Sequence, residues 1–515
     1  MNRFSKYFLI IIITISGILA LMRSVSLQIG TSYDDAHYII LAESLSSGQG
    51  YQLINFPRPQ IERAFPPGWP ILLAPFTLLF PSNYSILKLF SLALGLASIF
   101  LVYKLFSKRL SSPYLEILTG FVALNPLLIG TSVTVMSESA YLFFSLLALV
   151  MFDSAGHAFS VTNKTAVYKP ALHIAVAIFA FYTQLIRTVG ISLIIALVIY
   201  LLLTRRFREV GITIFVFIAG TLLQLWINGT ILSTGYQSQM FNSSIIEKIN
   251  QVFSNFVGYY NEVLTGALIP IFGSRLDSFL ENYRLQFVPL ILNILILLII
   301  LWGMVISKPK LEWMHIYFIV YILAILAFWN PRVGSVKARF LIPIIPFLYF
   351  YFIQGLRWGI NKLTRDNIVY TTRITVSVAG VIALLLLARN LQDWRNPIKN
   401  QMTDLSIGTN WISQNAPSDA IVMVNEPVPA YIHVQRKTIG YPNDNQDLEK
   451  YLNNQGIDYI VVSPKLQSPR TTKLDEYTEA QILPVLMSNP ERFIVVYNNS
   501  EYNVTVYQYE GDINQ

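Results

Sequence analysis

Apolar runs long enough to cross a bilayer recur along this chain, and no other feature limits its fold so sharply. A helical span needs about 20 predominantly apolar residues. About eleven stretches meet that criterion: 7–28, 84–106, 114–133, 138–153, 171–187, 189–204, 210–228, 286–306, 314–330, 339–356 and 373–391. Composition agrees, at 54% hydrophobic and only 13% charged, where soluble domains run at about a quarter charged. A single soluble core does not keep growing with chain length. The expectation is a mainly α polytopic membrane protein, a bundle of transmembrane helices.

The first run, "YFLIIIITISGILALM", follows Arg3 and Lys6. Its apolar core is longer than that of a signal peptide, and no Ala-x-Ala-like site follows, so it reads as a retained span with a cytoplasmic N-terminus. The basic loops "KLFSKRL", "NKTAVYKP", "TRRFREV", "SKPK" and "RWGINKLTRDNIVYTTR" fall alternately on that same side, as the positive-inside rule requires. An odd number of spans then sends residues 392–515 to the outer face of the plasma membrane, beside the long loops 29–83 and 229–285. The chain divides into a membrane domain, 1–391, and a C-terminal extracytoplasmic domain, 392–515.

That tail changes character. Residues 420–424 and 459–462 read as short buried strands, "NQDLEKYLNNQG" as a helix, and "RFIVVYNNSEYNVTVYQY" as a hairpin. A small α/β domain results. The chain has no cysteine, which excludes disulfides, thiolate metal sites and a cysteine nucleophile. The net charge of +8 is scattered between apolar runs, so it speaks for a bilayer partner and against nucleic acid.

Charged residues on the outer side are the candidates for chemistry. In "SYDDAHYIILAESLSSGQGY" a helix over 34–47 puts Asp34, Tyr38, Leu41, Ala42 and Leu45 on one face. It is expected to lie in the interface with its apolar side toward the bilayer. Asp34 is then either a carboxylate at a helix N-terminus, where the dipole favours it, or a general base at the membrane surface; Asp35 is its neighbour. Next, "IERAFPPGWP" carries Glu62 and Arg63 ahead of a stiff proline run. They serve either as interfacial anchors or to hold a phosphate, for which a guanidinium fork is suited. Glu138 in "VMSESAY", Arg187 in "LIRTVG", and Arg332, Lys337 and Arg339 in "NPRVGSVKARFL" complete the set. Glu426 and His433, in the tail, read as ordinary loop residues.

These segments together resemble the GT-C glycosyltransferases. "YDDAHYIILAESLSSGQGY" is similar to their first outer loop, with Asp-Asp/Glu-x-x-Tyr followed by Gly-x-Gly-Tyr. "ERAFPPGWPILLA" is similar to their second interfacial segment, "LIRTVG" to their Leu-x-Arg-x-x-Gly turn, and "KARFLIPIIPFL" to their Arg-Tyr-Leu-Leu-Pro-x-x-Pro span. Lipid A aminoarabinose transferases and protein O-mannosyltransferase-like enzymes share the pattern. The resemblance implies a polytopic GT-C bundle that moves a sugar from a polyprenyl-phosphate carrier to a lipid, glycan or protein acceptor at the outer face. It implies Asp34 as general base, with Asp35 and Glu138 beside it as catalytic residues. Tyr38, Glu62, Arg63, Arg187 and Arg339 would bind substrate, the arginines neutralising the lipid phosphate. It also allows a divalent metal ion on Asp34 and Glu62. Competing readings are a lipid-linked sugar transporter or flippase, a polysaccharide polymerase or ligase, and a membrane scaffold. A transporter would carry its ionisable groups inside the spans, often in paired repeats, whereas here the acids sit in outer loops.

Overall fold

The structure, a computed structural model, describes residues 3–24, 29–30, 32–156, 170–228, 244–270, 287–307, 312–329, 336–395, 403–443, 447–464 and 473–511. Arg332, most of the basic loops 163–170 and 307–310, and much of the long loop 229–285 lie outside the described residues.

Every apolar stretch named above carries a helix, because with no water at hand the backbone must satisfy its own polar groups. Among the described residues six helices are long and apolar enough to cross a membrane: Arg3–Ser24, Tyr84–Phe106, Phe207–Ile227, Val288–Ile306, Ala338–Leu363 and Ile368–Arg395. The pair Tyr114–Leu124 and Pro126–Ser132 passes the same test together, bent by 50°. The bend falls at Asn125, where a proline follows. Its side-chain oxygen accepts from the N–H groups of Leu127 and Leu128, and its amide donates to the Ala267 carbonyl at 2.7 Å. Ala171–Ile186, Thr188–Leu203 and Trp313–Phe328 are shorter apolar helices. The chain is a multi-pass membrane protein.

The first long loop departs from its expected form in two ways. Its helix, Asp34–Ser46, is present, but its apolar side does not face the bilayer. Ala36, Ile39, Ile40, Leu41 and Ala42 are all fully buried, because protein covers the helix on every side. A second apolar helix, Gly68–Leu79, follows the proline run and packs against it, and a helix of the tail, Pro427–Val434, packs on it as well. The contact between Gly68 and the helix Pro170–Ile186 is too close for any side chain: a Cβ there would lie 2.5 Å from the Leu185 carbonyl carbon. The neighbouring Trp69 is fully buried and donates its indole N–H to the Val135 carbonyl at 2.9 Å. The loop is thereby clamped onto the bundle beside Glu138.

The tail forms a five-stranded sheet. Its strands are β3 (Ile421–Val424), β4 (Lys437–Ile439), β5 (Tyr459–Val462), β6 (Phe493–Asn499) and β7 (Val504–Tyr509); a two-stranded ribbon of β1 (Gln52–Leu53) and β2 (Gln60–Ile61) lies in the first loop. The order is β4-β3-β5-β7-β6, with β3 parallel to both β4 and β5, and β7 antiparallel to its two neighbours. The expected strands at 420–424 and 459–462 and the expected hairpin are all present. Glu426 and His433 do not sit in an open loop: Glu426 caps the helix Pro427–Val434 and His433 lies within it.

The tail holds the first loop directly. Thr438 N–H donates to the Asn55 carbonyl at 2.7 Å, and Lys437 Nζ to the Ile54 carbonyl at 2.5 Å. Gln435 Nε2 reaches Tyr84 Oη at 2.6 Å, and that phenol donates to Glu43 at 2.8 Å. Val428 and Ile432 join the apolar core of the bundle itself.

Candidate active site

Tyr33, just before the first helix, has φ 59° and ψ −50°. That conformation is costly for a bulky residue and marks a strained turn. The turn separates the two acids. On a helix, adjacent side chains point about 100° apart. Asp35 turns inward: it is almost fully buried, and its carboxylate accepts from Gly30 N–H at 2.8 Å and Ala36 N–H at 3.0 Å. Asp34 turns to the other side, where its Oδ2 lies 2.8 Å from Arg339 Nη2.

Burial, with Asp34 as a lesser influence, pushes the Asp35 carboxyl from an ordinary 3.8 up to about 6. Folding therefore favours its neutral form. That stabilisation is fully present below pH about 4 and is lost as pH rises through about 6. In Asp35→Asn the side chain carries no charge at any pH. As pH rises from 4 toward 7 the stability of Asp35→Asn, read from melting temperatures, should gain on the parent's by about 1–3 kcal/mol, from a baseline lowered by the one backbone N–H that its amide nitrogen cannot accept. A constant difference across that range would refute the burial account.

Arg339 lies on a 3-10 segment, Ala338–Ile344, broken out of regular helix by Pro343 and continued by the helix Ile345–Leu363. Besides Asp34 it faces Glu138, with Nε 3.7 Å from Oε1. Glu138 opens the helix Glu138–Gly156 and is 1% exposed. Arg187, between the helix Pro170–Ile186 and the turn Thr188–Gly190, lies 2.6 Å from the same Oε1 and donates to Ser137 Oγ at 3.2 Å. Gly190 permits this turn, since a Cβ there would run into the Thr183 carbonyl. Ser137 Oγ lies 3.2 Å from Tyr38 Oη. The Phe340 ring takes Arg187 at 5.2 Å and Arg339 at 5.4 Å from its centroid, a cation–π arrangement that holds both cations. Glu138 Oε2 is buried without a hydrogen-bond partner.

Asp34, Tyr38, Glu138, Arg187 and Arg339, from four separated stretches of sequence, therefore meet at one place. Arg187 and Glu138 are 15% and 1% exposed, while Asp34 and Arg339 are 27% and 32% exposed. Glu62 and Arg63 do not join them by direct contact. Glu62 is buried and accepts from Ala64 N–H at 2.5 Å, bracing the turn before the prolines; Arg63 is exposed. Lys337 is exposed as well. Between these turns, Phe65 stacks on His37 at 4.6 Å and meets the Tyr38 ring edge-on at 5.3 Å, so His37 serves as a packed aromatic. Ser137, Phe65 and Phe340 were absent from the sequence candidates. A hydroxyl and two phenyl rings carry no charge pattern, and only their neighbours in space give them a role.

The residues present do not fit the metal ion that the resemblance allows. Among the described residues no three His, Asp or Glu side chains gather closely enough to hold one. Asp34 is paired with Arg339 and Glu62 with a backbone N–H, and two guanidinium groups beside Asp34 and Glu138 oppose a further cation.

An apolar pocket with a volume of about 120 Å³ adjoins the segment that carries Arg339. Tyr259, Leu264, Ile300, Ile325, Leu341 and Ile344 line it, the last two on the segment that carries Arg339.

No family model and no curated protein matches the chain. Solved structures do share its fold. One is ArnT from Cupriavidus metallidurans bound to undecaprenyl phosphate, with a TM-score of 0.56 at 12% identity over 98% of both chains. Another is the archaeal oligosaccharyltransferase AglB from Archaeoglobus fulgidus, in complex with an inhibitory peptide and a dolichol-phosphate. It has a TM-score of 0.55 at 12% identity over 90% of this chain and 70% of that one. The Archaeoglobus fulgidus oligosaccharyltransferase in complex with Zn and sulfate gives 0.55 at 13% identity, over 88% and 68% of the two chains. The chain shares its fold with these solved structures.

Proposed function

We propose, from this shared fold, that the chain is a membrane glycosyltransferase that moves a sugar from a polyprenyl-phosphate carrier to an acceptor hydroxyl at the outer face. The observation that carries the reading is Arg339, a partly exposed guanidinium held between Asp34 and Glu138, on a segment whose Leu341 and Ile344 line an apolar pocket. Solved structures of the same fold include one with undecaprenyl phosphate and one with a dolichol-phosphate, which supports a prenyl chain as the pocket's occupant.

The mechanism follows from the charges. In the resting site one oxygen of Asp34 is engaged by Arg339. A donor phosphate placed over Phe340 competes for Arg339 and releases Asp34. Asp34 then takes the proton from the acceptor hydroxyl as its oxygen attacks the anomeric carbon. The bond from that carbon to the phosphate oxygen breaks, and its electron pair leaves with the polyprenyl phosphate. Negative charge grows on that phosphate as the sugar departs, so Arg339 and Arg187 bind the transition state more tightly than the ground state. One displacement inverts the anomeric centre.

The test is transfer in membranes supplied with radiolabelled polyprenyl-phosphate sugars. Label on a new glycosidic bond supports the reading; label crossing the bilayer without a new bond makes the protein a transporter. Arg339→Ala should lower kcat by about 10²–10³ although it frees Asp34 from its partner. Arg339→Lys should restore only part of the rate, since an ammonium cannot span Asp34 and a phosphate as a fork does. An Arg339→Ala variant faster than the parent would make Arg339 a restraint on the base and nothing more.

A further inference from the structure

Within the long loop 229–285, the sequence "IIEKINQVFSNFVG" forms the helix Ile245–Gly258. Ser244 starts it with a reciprocal cap. Its hydroxyl accepts from Glu247 N–H at 3.2 Å, and the Glu247 carboxylate accepts from Ser244 N–H at 2.9 Å. One side of the helix is tied to the bundle. Gln251 Nε2 donates to the Ala327 and Trp329 carbonyls at 3.0 and 2.6 Å, and Asn255 Nδ2 to those of Leu326 and Trp329 at 2.8 and 2.7 Å. Carbonyls at the end of a helix, here Trp313–Phe328, have no partner within it and need one from outside. The Trp329 ring meets Phe340 at 5.1 Å, and Phe340 is the ring that holds Arg187 and Arg339. The helix Ile245–Gly258 therefore lies at the end of the bundle that carries the candidate site.

Its other side is apolar and uncovered. Ile245, Ile246, Ile249, Phe253 and Phe256 are between 44 and 78% exposed. At about 100° per residue all five fall in one sector of the helix, with Gln251 and Asn255 on the reverse. A contiguous apolar patch of this kind marks contact with a membrane or a protein. Two observations choose the membrane. The first is continuity: Tyr260 stacks on Phe256 at 6.2 Å and donates its hydroxyl to the Leu290 carbonyl at 3.2 Å. The stripe is thereby joined to the span Val288–Ile306, whose Leu290, Ile291 and Leu298 are exposed as a lipid-facing surface requires. The second is size. The helix has 14 residues, about 21 Å of length, which is too short to cross a hydrocarbon core of about 30 Å. A short helix with one apolar and one polar side lies in the plane of the interface. Glu247 and Lys248 are its only charged residues, one of each sign, so burial of apolar surface seats it and not attraction to anionic headgroups.

The same helix borders the apolar pocket. Phe256, with Tyr259 and Tyr260 just beyond the helix end, lines it opposite Leu297 and Leu301 of the span. Phe256 and Leu301 also belong to the lipid-facing surface, 44 and 47% exposed, so the rim of the pocket reaches that surface. We infer that the apolar face of the helix Ile245–Gly258 is a lipid-docking surface, seated among the acyl chains of the leaflet on the Arg339 side, and that it holds the rim of the pocket at that depth. The docking surface stands apart from the transferase reading; entry of a carrier's prenyl chain over this rim rests on that reading.

The chain has no cysteine, so single-cysteine variants of the full-length protein carry a nitroxide label without background. In phosphatidylcholine nanodiscs, labels on Ile249→Cys and Phe253→Cys should collide with oxygen in preference to a water-soluble nickel chelate and report a depth of about 5–10 Å. Ser254→Cys, on the polar side, should show the reverse preference. Ile246→Cys reads the same apolar face should Phe253→Cys fail to fold. Replacing part of the phosphatidylcholine by phosphatidylglycerol should leave every depth unchanged, and insertion only with the anionic lipid would overturn the apolar account. Preference for nickel on the apolar face puts that face in water and overturns the docking. Shielding from both reagents means that protein covers it, a second copy included, and overturns the docking as well. An Asp34→Asn background should leave all depths as they are even where transfer is lost, which separates this proposal from the catalytic one. For the rim, a label on Phe256→Cys should lose mobility when a polyprenyl phosphate is added, while one on Ile246→Cys should not. An unchanged Phe256→Cys spectrum beside inserted labels overturns the entry route and leaves the docking surface standing.

Discussion

Asp34→Asn loses transfer by about 10²–10⁴ in rate while the protein still inserts and folds. A carboxamide has the shape of the carboxylate and can still sit beside Arg339, but it cannot take the acceptor's proton. The structural cost is small. Asp34 and Arg339 are 27% and 32% exposed, and a pair so open to solvent contributes about 0–1 kcal/mol. The check is label transfer from a radiolabelled polyprenyl-phosphate sugar in membranes, read beside the melting temperature of the purified variant. Near-normal transfer with an unchanged melting temperature would remove Asp34 from the mechanism.

Glu138→Gln has a comparable effect of a different kind, a loss of about 3–5 kcal/mol in stability. Glu138 is the common anion of the site, 2.6 Å from Arg187 and 3.7 Å from Arg339. Removing its charge leaves Arg187, 15% exposed, with an uncompensated charge in a low-dielectric place, and the desolvation already incurred is no longer offset. Glu138→Asp keeps the charge but shortens the reach, so its stability should fall between the two. Denaturation midpoints in detergent decide the matter, and a Glu138→Gln midpoint equal to the parent's would mean that the Arg187 pair holds nothing together. Asp34→Asn and Glu138→Gln thus test two roles in the cluster: chemistry proposed for the one carboxylate, and the holding of the cations for the other.

Much of the architecture was legible because hydropathy is a local property. The stretch 84–106 coincides with the helix Tyr84–Phe106, and the strand read at 459–462 is β5. Asp34, Glu138, Arg187 and Arg339 could each be singled out, since a charge beside a greasy run is conspicuous whatever it touches. One expectation fails for want of tertiary information. The spacing puts the helix Asp34–Ser46 on the bilayer surface, and a chain has no way to announce that Gly68–Leu79 and Pro427–Val434 will cover it.

The sequence by itself determined that this protein is a bundle of membrane helices with a small α/β tail, and it supplied the charged residues from which a site could be built. Periodicity and hydrophobicity act over a few turns, so they are written where they operate. The tertiary structure alone decided which of those charges became partners. Arg339 meets Asp34 across 305 positions of chain, and adjacent Asp34 and Asp35 part because a strained turn at Tyr33 and the helical rotation send one to a guanidinium and the other into the core. Ion pairing and topology depend on distance in space, and only packing sets that distance.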